Sequence, residues 1–113
     1  MRLFCYILNH IEHLDAILTE FAHNGINGAT IIDSTGMARV LSQNHDEEEF
    51  SFLASLRKLL ISDRENNNII LTVIKDEQLP IAVGAIEKVV GDIDSNSNGI
   101  MFSFPLDFTK GIT

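Results

Sequence analysis

The sequence predicts one α+β domain in which helices cover one face of an antiparallel sheet. Four short runs of strand-forming residues alternate with segments of helical periodicity or with polar connections. The 113 residues have room for one domain, since domains usually take about 100–200 residues. With 45% hydrophobic residues, a chain of this size can bury a core without disulfides or a metal.

The first βα unit covers the first 25 residues. Residues 3–8 are apolar and too few for a buried helix, so they predict a strand, which we expect to be central in the sheet. Residues 11–23 predict a helix, because apolar side chains recur at spacings of three and four. Gly25 then suits the left-handed position that ends many helices.

The middle of the chain combines a strand, a long loop and a helix. Residues 29–34 are β-branched and predict the second strand. Residues 35–49 show no sustained period and predict a long exposed loop, a kind that is usually functional or mobile. Residues 48–61 return to helical spacing, and 63–68 predict a polar connection.

The last part repeats the strand, helix, strand order. Residues 69–74 predict the third strand, Asp76 is expected to cap the next helix, and Gly91 is expected to end it. Pro80 is tolerated in the first turn of that helix. Residues 100–104 predict the fourth strand.

These elements predict a ferredoxin-like βαββαβ sandwich, with an extra helix inserted between the second and third strands. The first, third and fourth strands are nearly apolar on both faces. We therefore expect self-association or the inserted helix to bury the sheet face that the other helices leave open.

Charge and cysteine usage exclude several classes of function. The chain has 8 Lys plus Arg against 16 Asp plus Glu, a formal charge of −8, so it lacks the basic surplus that binds nucleic acid or anionic membranes. The apolar run 3–8 is far shorter than the roughly 20 residues of a membrane span, and no cleavage site follows it. Cys5 is the only cysteine, which excludes an internal disulfide and fits a cytoplasmic protein.

No residues are arranged for catalysis, and we expect the protein not to be an enzyme. Cys5 lies in an apolar strand, where burial would raise its pKa and lower its reactivity. Carboxylates cluster only at 46–49, where solvated charge is the simplest interpretation and cation or partner binding the alternative. His10 and His13 have a spacing that could share a metal, but the sequence offers no third ligand.

Glycines near the strand ends are the best candidates for a binding site. Gly36 follows the second strand with Arg39 three residues on, while Gly91-Asp92 and Gly99 flank the loop before the fourth strand. Glycine turns can direct backbone N–H groups at an anion, and an arginine can add a bidentate contact. Ordinary turns use the same glycines, and the residues alone favour that interpretation.

Residues 28–40, together with 91–92 and 99–107, resemble the PII nitrogen-regulatory superfamily. The resemblance implies a homotrimer whose sheets pack inward, adenine nucleotide binding in the clefts between subunits, and a T-loop at 35–49 that reports ligand state to a partner protein. It places Gly36 and Arg39 at the root of the T-loop and Gly99 beside the phosphates. The candidate ligand-binding residues are Gly36, Met37, Arg39, Arg57, Gly91, Asp92 and Gly99.

The chain departs from the family pattern at three places. The family's Gly-Lys before the fourth strand is Gly99-Ile100 here, the basic C-terminal tail is reduced to 110–113, and the only tyrosine, Tyr6, lies outside the T-loop. Arg57 could replace a lost cation if it turns inward. Each charge-assisted contact contributes about 1.5–3 kcal/mol, so these losses predict weak or altered nucleotide affinity.

Two other functions remain open at this point. One is a CutA-like divalent-metal-binding trimer that uses His10, His13 or the acidic loop. The other is a small enzyme with a substrate pocket at the subunit boundary, which lacks an arranged acid, base or nucleophile. The sequence names neither the ligand nor the regulated partner.

Overall fold

The computed structural model describes residues 1–37, 40–41, 67–94 and 98–112. The expected inserted helix at 48–61, the acidic run 46–49, Arg39 and Arg57 lie outside the described residues, as does most of the loop 35–49. The helices and strands are β1 (Arg2–Leu8), α1 (Leu14–His23), β2 (Thr30–Ser34), β3 (Asn67–Ile74), α2 (Leu79–Val90) and β4 (Ile100–Pro105).

The four strands form one antiparallel sheet in the order β2-β3-β1-β4. As predicted, β1 is central: Cys5 lies opposite Leu71 of β3 on one side and Phe102 of β4 on the other. A four-stranded antiparallel sheet with two helices is compatible with a ferredoxin-like α+β class.

The core lies between the sheet and the two helices. Alternate residues of β1 and β3 point to the helices, because side chains along a strand alternate between its faces. Lys88 of α2 also forms an ion pair with Glu20 of α1, with 3.2 Å between Nζ and Oε1. The buried residues of this cluster are Phe4, Tyr6, Leu8, Ile17, Phe21, Ile26, Ile70, Ile74, Ala82, Ala85 and Ile86.

Both helices begin with a turn of 3₁₀ helix, at Ile11–His13 and at Asp76–Gln78. The prediction that Asp76 caps the second helix is wrong. The Gln78 side chain reaches back and accepts a hydrogen bond from the Lys75 N–H at 2.8 Å. Asp76 instead faces the guanidinium of Arg2 in β1, with its Oδ1 atom 3.9 Å from Nη1.

Other boundaries differ by one or two residues from those predicted. β3 begins at Asn67 rather than at residue 69, because Asn67 and Asn68 pair with the end of β2.

Met37, Val40 and Leu41 are helical, so the prediction of a loop is wrong at these residues. The Val40 N–H donates to the Gly36 carbonyl at 3.2 Å. Gly25 has φ +83°, which confirms its predicted role.

None of the helices in the described ranges is long and apolar enough to cross a membrane.

Candidate functional site

The sheet face opposite α1 and α2 is apolar, and neither helix covers it. We call it the open face. The register places three rows across β3, β1 and β4 on it. Phe102 of β4 keeps 46% of its surface exposed, whereas Cys5 at the centre is buried. The open face consists of Leu3, Cys5, Ile7, Ile69, Leu71, Val73, Ile100, Phe102 and Phe104.

One end of the sheet brings together three of the predicted ligand-binding residues, and we call it the strand-end edge. Here the last residues of β1 and β2 meet the first residues of β3 and β4. Gly36 and Met37 follow β2 at this edge, and Gly99 precedes β4. The Asn98 side chain donates to the Val90 carbonyl at 2.8 Å, which ties the end of α2 to the same edge.

The glycines at this edge have structural roles of their own. Gly99 has φ +104°, and a Cβ atom there would lie 2.1 Å from the Ile7 carbonyl oxygen, so only glycine fits. Gly91 has φ +89° and ends α2 as predicted. A Cβ atom on Gly36 would lie 3.0 Å from Nδ2 of Asn67. Close packing and helix termination therefore account for these glycines without a ligand.

The loop after α2 uses two backbone N–H groups internally. The Asp94 N–H donates to Oδ1 of Asp92 at 3.1 Å, and the Ile93 N–H donates to Oε2 of Glu87 at 3.3 Å. Asp92 therefore stabilises its own loop.

Met37, another predicted ligand-binding residue, is 76% exposed, so the start of the helical turn after β2 is accessible to solvent.

Tyr6 and Cys5 are the two described groups with raised pKa values. The Tyr6 hydroxyl donates to the Asn98 carbonyl, and burial raises the pKa of Tyr6 to about 12. Burial also raises the pKa of the Cys5 thiol, as predicted. Neither group is poised to react, since deprotonation of each is opposed by its apolar surroundings.

The His10 and His13 rings lie edge to face with their centroids 6.3 Å apart. Nδ1 of His10 is 3.6 Å from Oε1 of Glu12. Within the described part of the chain, no group of three His, Cys, Asp or Glu side chains could hold a metal ion.

A polar cavity of about 310 Å³ at the strand-end edge was not predicted from the sequence. It is lined by Ile11, Asp33, Ser34, Thr35, Asn67 and Asn68, and we call it the Asp33 cavity. The cross-strand pair Asp33 and Asn68 lies on it, with the Asn68 amide donating to Oδ1 of Asp33 at 2.9 Å. In the sequence, these residues are the Asp-Ser-Thr at the end of β2 and the two asparagines that begin β3, but only the register shows that they lie side by side.

A second, larger cavity of about 800 Å³ lies at the opposite end of the sheet. The connection from α1 to β2, the end of β3 and the tail residues Gly111 and Ile112 line it. The Thr72 hydroxyl donates to the Gly28 carbonyl at 2.5 Å and holds the connection against β3. The lining mixes apolar and polar groups and indicates no single ligand chemistry.

No protein-family model matches this chain, and no curated protein matches it either.

Proposed function

We propose that this protein is a cytoplasmic, non-enzymatic PII-like regulator related to nitrogen regulation. It forms a homo-oligomer, expected to be a trimer, and binds a small ligand in clefts between subunits. Residues 35–49 then signal to a partner protein. This proposal includes the ferredoxin-like βαββαβ topology with an inserted helix at 48–61.

The open face is the observation that carries the proposal. Contiguous apolar patches beyond a few hundred Å² are uncommon on monomers and usually mark an interaction site. The nine residues of the open face carry no charge, so the net charge of −8 lies elsewhere and two copies can approach through this face. The strand-end edge borders the open face, so association would bring Gly36 and Gly99 to a subunit boundary.

The proposed ligand is a small anion, with an adenine nucleotide as one candidate. Among the described residues of the strand-end edge, none is Lys or Arg. Recognition of phosphate would therefore rest on Arg39, Arg57 and backbone N–H groups. This small number of cations predicts weaker nucleotide binding than a fully basic site would give.

The oligomeric state tests the first part of the proposal. Light scattering after size-exclusion chromatography should give three times the chain mass of 12.6 kDa. Phe102→Asp, which places a charge on the open face, should reduce the mass to that of a monomer. Phe108→Asp is the matched control, because Phe108 is 72% exposed in the tail after β4. A wild-type monomer at every concentration would refute association through the open face.

A thermal-shift panel tests the ligand. ATP, ADP, AMP, cyclic dinucleotides and 2-oxoglutarate would be compared with and without magnesium, since a ligand that binds only the native state raises Tm. A nucleotide-specific rise should be lost in Arg39→Ala and kept in Lys88→Ala, which removes one charge from α2. Zinc and copper complete the panel: a metal-specific rise that His13→Ala removes would favour the CutA-like alternative.

A further inference from the structure

We propose that Asn27 and Gly28 form a self-modification site, at which Asn27 loses its side-chain amide through attack by the Gly28 backbone nitrogen. The substrate is the chain itself, and the co-reactants are water and hydroxide. The site lies in the connection from α1 to β2. It requires neither the ligand nor the oligomer proposed above, so its test can fail without those proposals.

The reaction is a deamidation through a cyclic imide. Hydroxide removes the amide proton of Gly28, and the Gly28 nitrogen attacks Cγ of Asn27. A bond forms between these two atoms, the bond from Cγ to Nδ2 breaks, and Nδ2 leaves as ammonia with a proton from water. Water then opens the imide at either carbonyl carbon, which gives aspartate or isoaspartate. Glycine favours the attack, because it has no side chain to hinder its nitrogen and its backbone turns freely.

The chain contains three Asn-Gly pairs, at 24–25, 27–28 and 98–99, and the structure separates the second from the other two. In the first pair, both reacting groups are engaged. The Asn24 side chain donates to the Glu20 carbonyl at 2.7 Å. The Gly25 N–H donates to the Ala22 carbonyl at 3.2 Å. Both hydrogen bonds must break before the Gly25 nitrogen can reach Cγ.

The third pair is restrained by packing as well as by hydrogen bonds. The Asn98 side chain donates to the Val90 carbonyl at 2.8 Å, and the Asn98 carbonyl accepts the Tyr6 hydroxyl. A Cβ atom on Gly99 would lie 2.1 Å from the Ile7 carbonyl oxygen, so the backbone there has little room to turn. The carboxamide and the backbone would both have to move before this pair could react.

The second pair shows none of these restraints among the described residues. Asn27 and Gly28 are both exposed. No hydrogen bond between described residues uses the Asn27 side chain or the Gly28 N–H. A Cβ atom on Gly28 would meet nothing within 4 Å, so there is free space beside the attacking nitrogen. Thr72 holds the Gly28 carbonyl, which takes no part in the attack.

The product changes the larger cavity at this end of the sheet. Asn27 lines that cavity, and Lys75 is the only charged side chain among its described lining residues. Deamidation adds a carboxylate to this lining and makes the formal net charge of −8 more negative by one. Isoaspartate also adds one atom to the backbone next to Gly28, which should displace the connection from Thr72.

The test is incubation of the purified protein at mildly alkaline pH, followed by peptide mass spectrometry. Deamidation exchanges NH₂ for OH and adds about 1 Da, and fragmentation assigns this gain to one asparagine. We expect the folded protein to modify Asn27 about tenfold faster than Asn24 or Asn98, because hydrogen bonds must break at the other two. The chain unfolded in urea is the control. There, the three pairs should react at similar rates.

Two variants separate the attack from its consequence. Gly28→Ala leaves the new Cβ atom free of contacts but hinders the nitrogen, so it should slow modification of Asn27 about tenfold. Asn27→Asp carries the new charge without the extra backbone atom. Wild-type protein enriched in isoaspartate should therefore have a lower Tm than Asn27→Asp, and equal Tm values would contradict the displacement from Thr72.

Three results would overturn the proposal. The first is an equal rate at all three asparagines of the folded protein, which would mean that the structure does not select Asn27. The second is an Asn27 that reacts only in urea, which would mean that another surface covers the connection. The third is an unchanged rate in Gly28→Ala, which would indicate direct hydrolysis without attack by the backbone nitrogen.

Discussion

The two faces of the central strand have the same chemistry and different surroundings. Phe4 points to the helices and is 1% exposed, whereas Phe102, on the opposite face of the neighbouring strand, is 46% exposed. Both faces of the sheet are built from large apolar side chains. Hydrophobicity therefore predicts which residues avoid water, but not whether the described helices or another surface covers them.

The largest expected effect comes from truncating one phenylalanine on each face. Phe4→Ala should lower the free energy of unfolding by about 3–5 kcal/mol, because it leaves a cavity in a closed core. Phe102→Ala should cost about 1 kcal/mol or less in the dissociated chain, since its side chain is already half exposed. Urea unfolding at low and high protein concentration measures both values. If the two variants lost the same free energy of unfolding at every protein concentration, the open face would be covered within one chain.

Gly99→Ala tests the place where the two faces meet. Gly99 packs against Tyr6 of the covered face and Ile7 of the open face, and its φ is +104°. Backbone strain and overlap of the new Cβ atom with the Ile7 carbonyl should together lower the free energy of unfolding by about 2–3 kcal/mol. Gly28→Ala is the control, because a Cβ atom there meets nothing within 4 Å. Thermal unfolding compares the two variants, and we expect a lower Tm for Gly99→Ala. Equal Tm values would contradict the predicted strain at Gly99.

Tyr6 makes the stability of the covered face depend on pH. Burial raises its pKa to about 12 from the ordinary tyrosine value of about 10, so the unfolded chain loses the proton first as pH rises. The contribution of Tyr6 to the free energy of unfolding is therefore complete below pH 10 and falls between pH 10 and 12. The fall is about 1.4 kcal/mol for each unit by which the pKa of folded Tyr6 exceeds that of unfolded Tyr6. Tyr6→Phe should remove this part of the decline.

Tyr6 is also the only tyrosine, and the chain has no tryptophan. Tyrosinate absorbance in the folded protein therefore reports on this hydroxyl alone. Titration at an ordinary tyrosine pKa while the chain is still folded would contradict the burial of the hydroxyl.

The smallest expected effect is a gain on the outer side of the helix layer. Gly84 lies inside α2 with open space around its Cβ position. Gly84→Ala should stabilise the protein by up to about 1 kcal/mol, because alanine loses less backbone freedom on forming a helix. Urea unfolding measures the gain. A loss of stability instead would indicate that another surface packs closely against this side of α2.

For the described residues, the sequence predicted the strands and helices but not the first turns of the helices. Short apolar runs predicted β1 and β3 and the apolar nature of both sheet faces, and spacings of three and four residues predicted α1 and α2. The role of Asp76 could not be predicted, because Gln78 competes for the same N–H group three residues back. The Asp33 cavity could not be predicted either, since it depends on β2 and β3 pairing across 35 residues.

The strand order also has a consequence for how the chain folds. Cys5, in the central strand, pairs with residues that come 66 and 97 positions later. Such long-range pairings must close large loops before they gain any contact energy, so this topology folds more slowly than one rich in local contacts. The edge of β1 that pairs with β4 has no strand partner until β4 has been synthesised, 97 residues after Cys5. The unpaired edge of so apolar a strand is open to pairing with another chain during this interval, which favours aggregation.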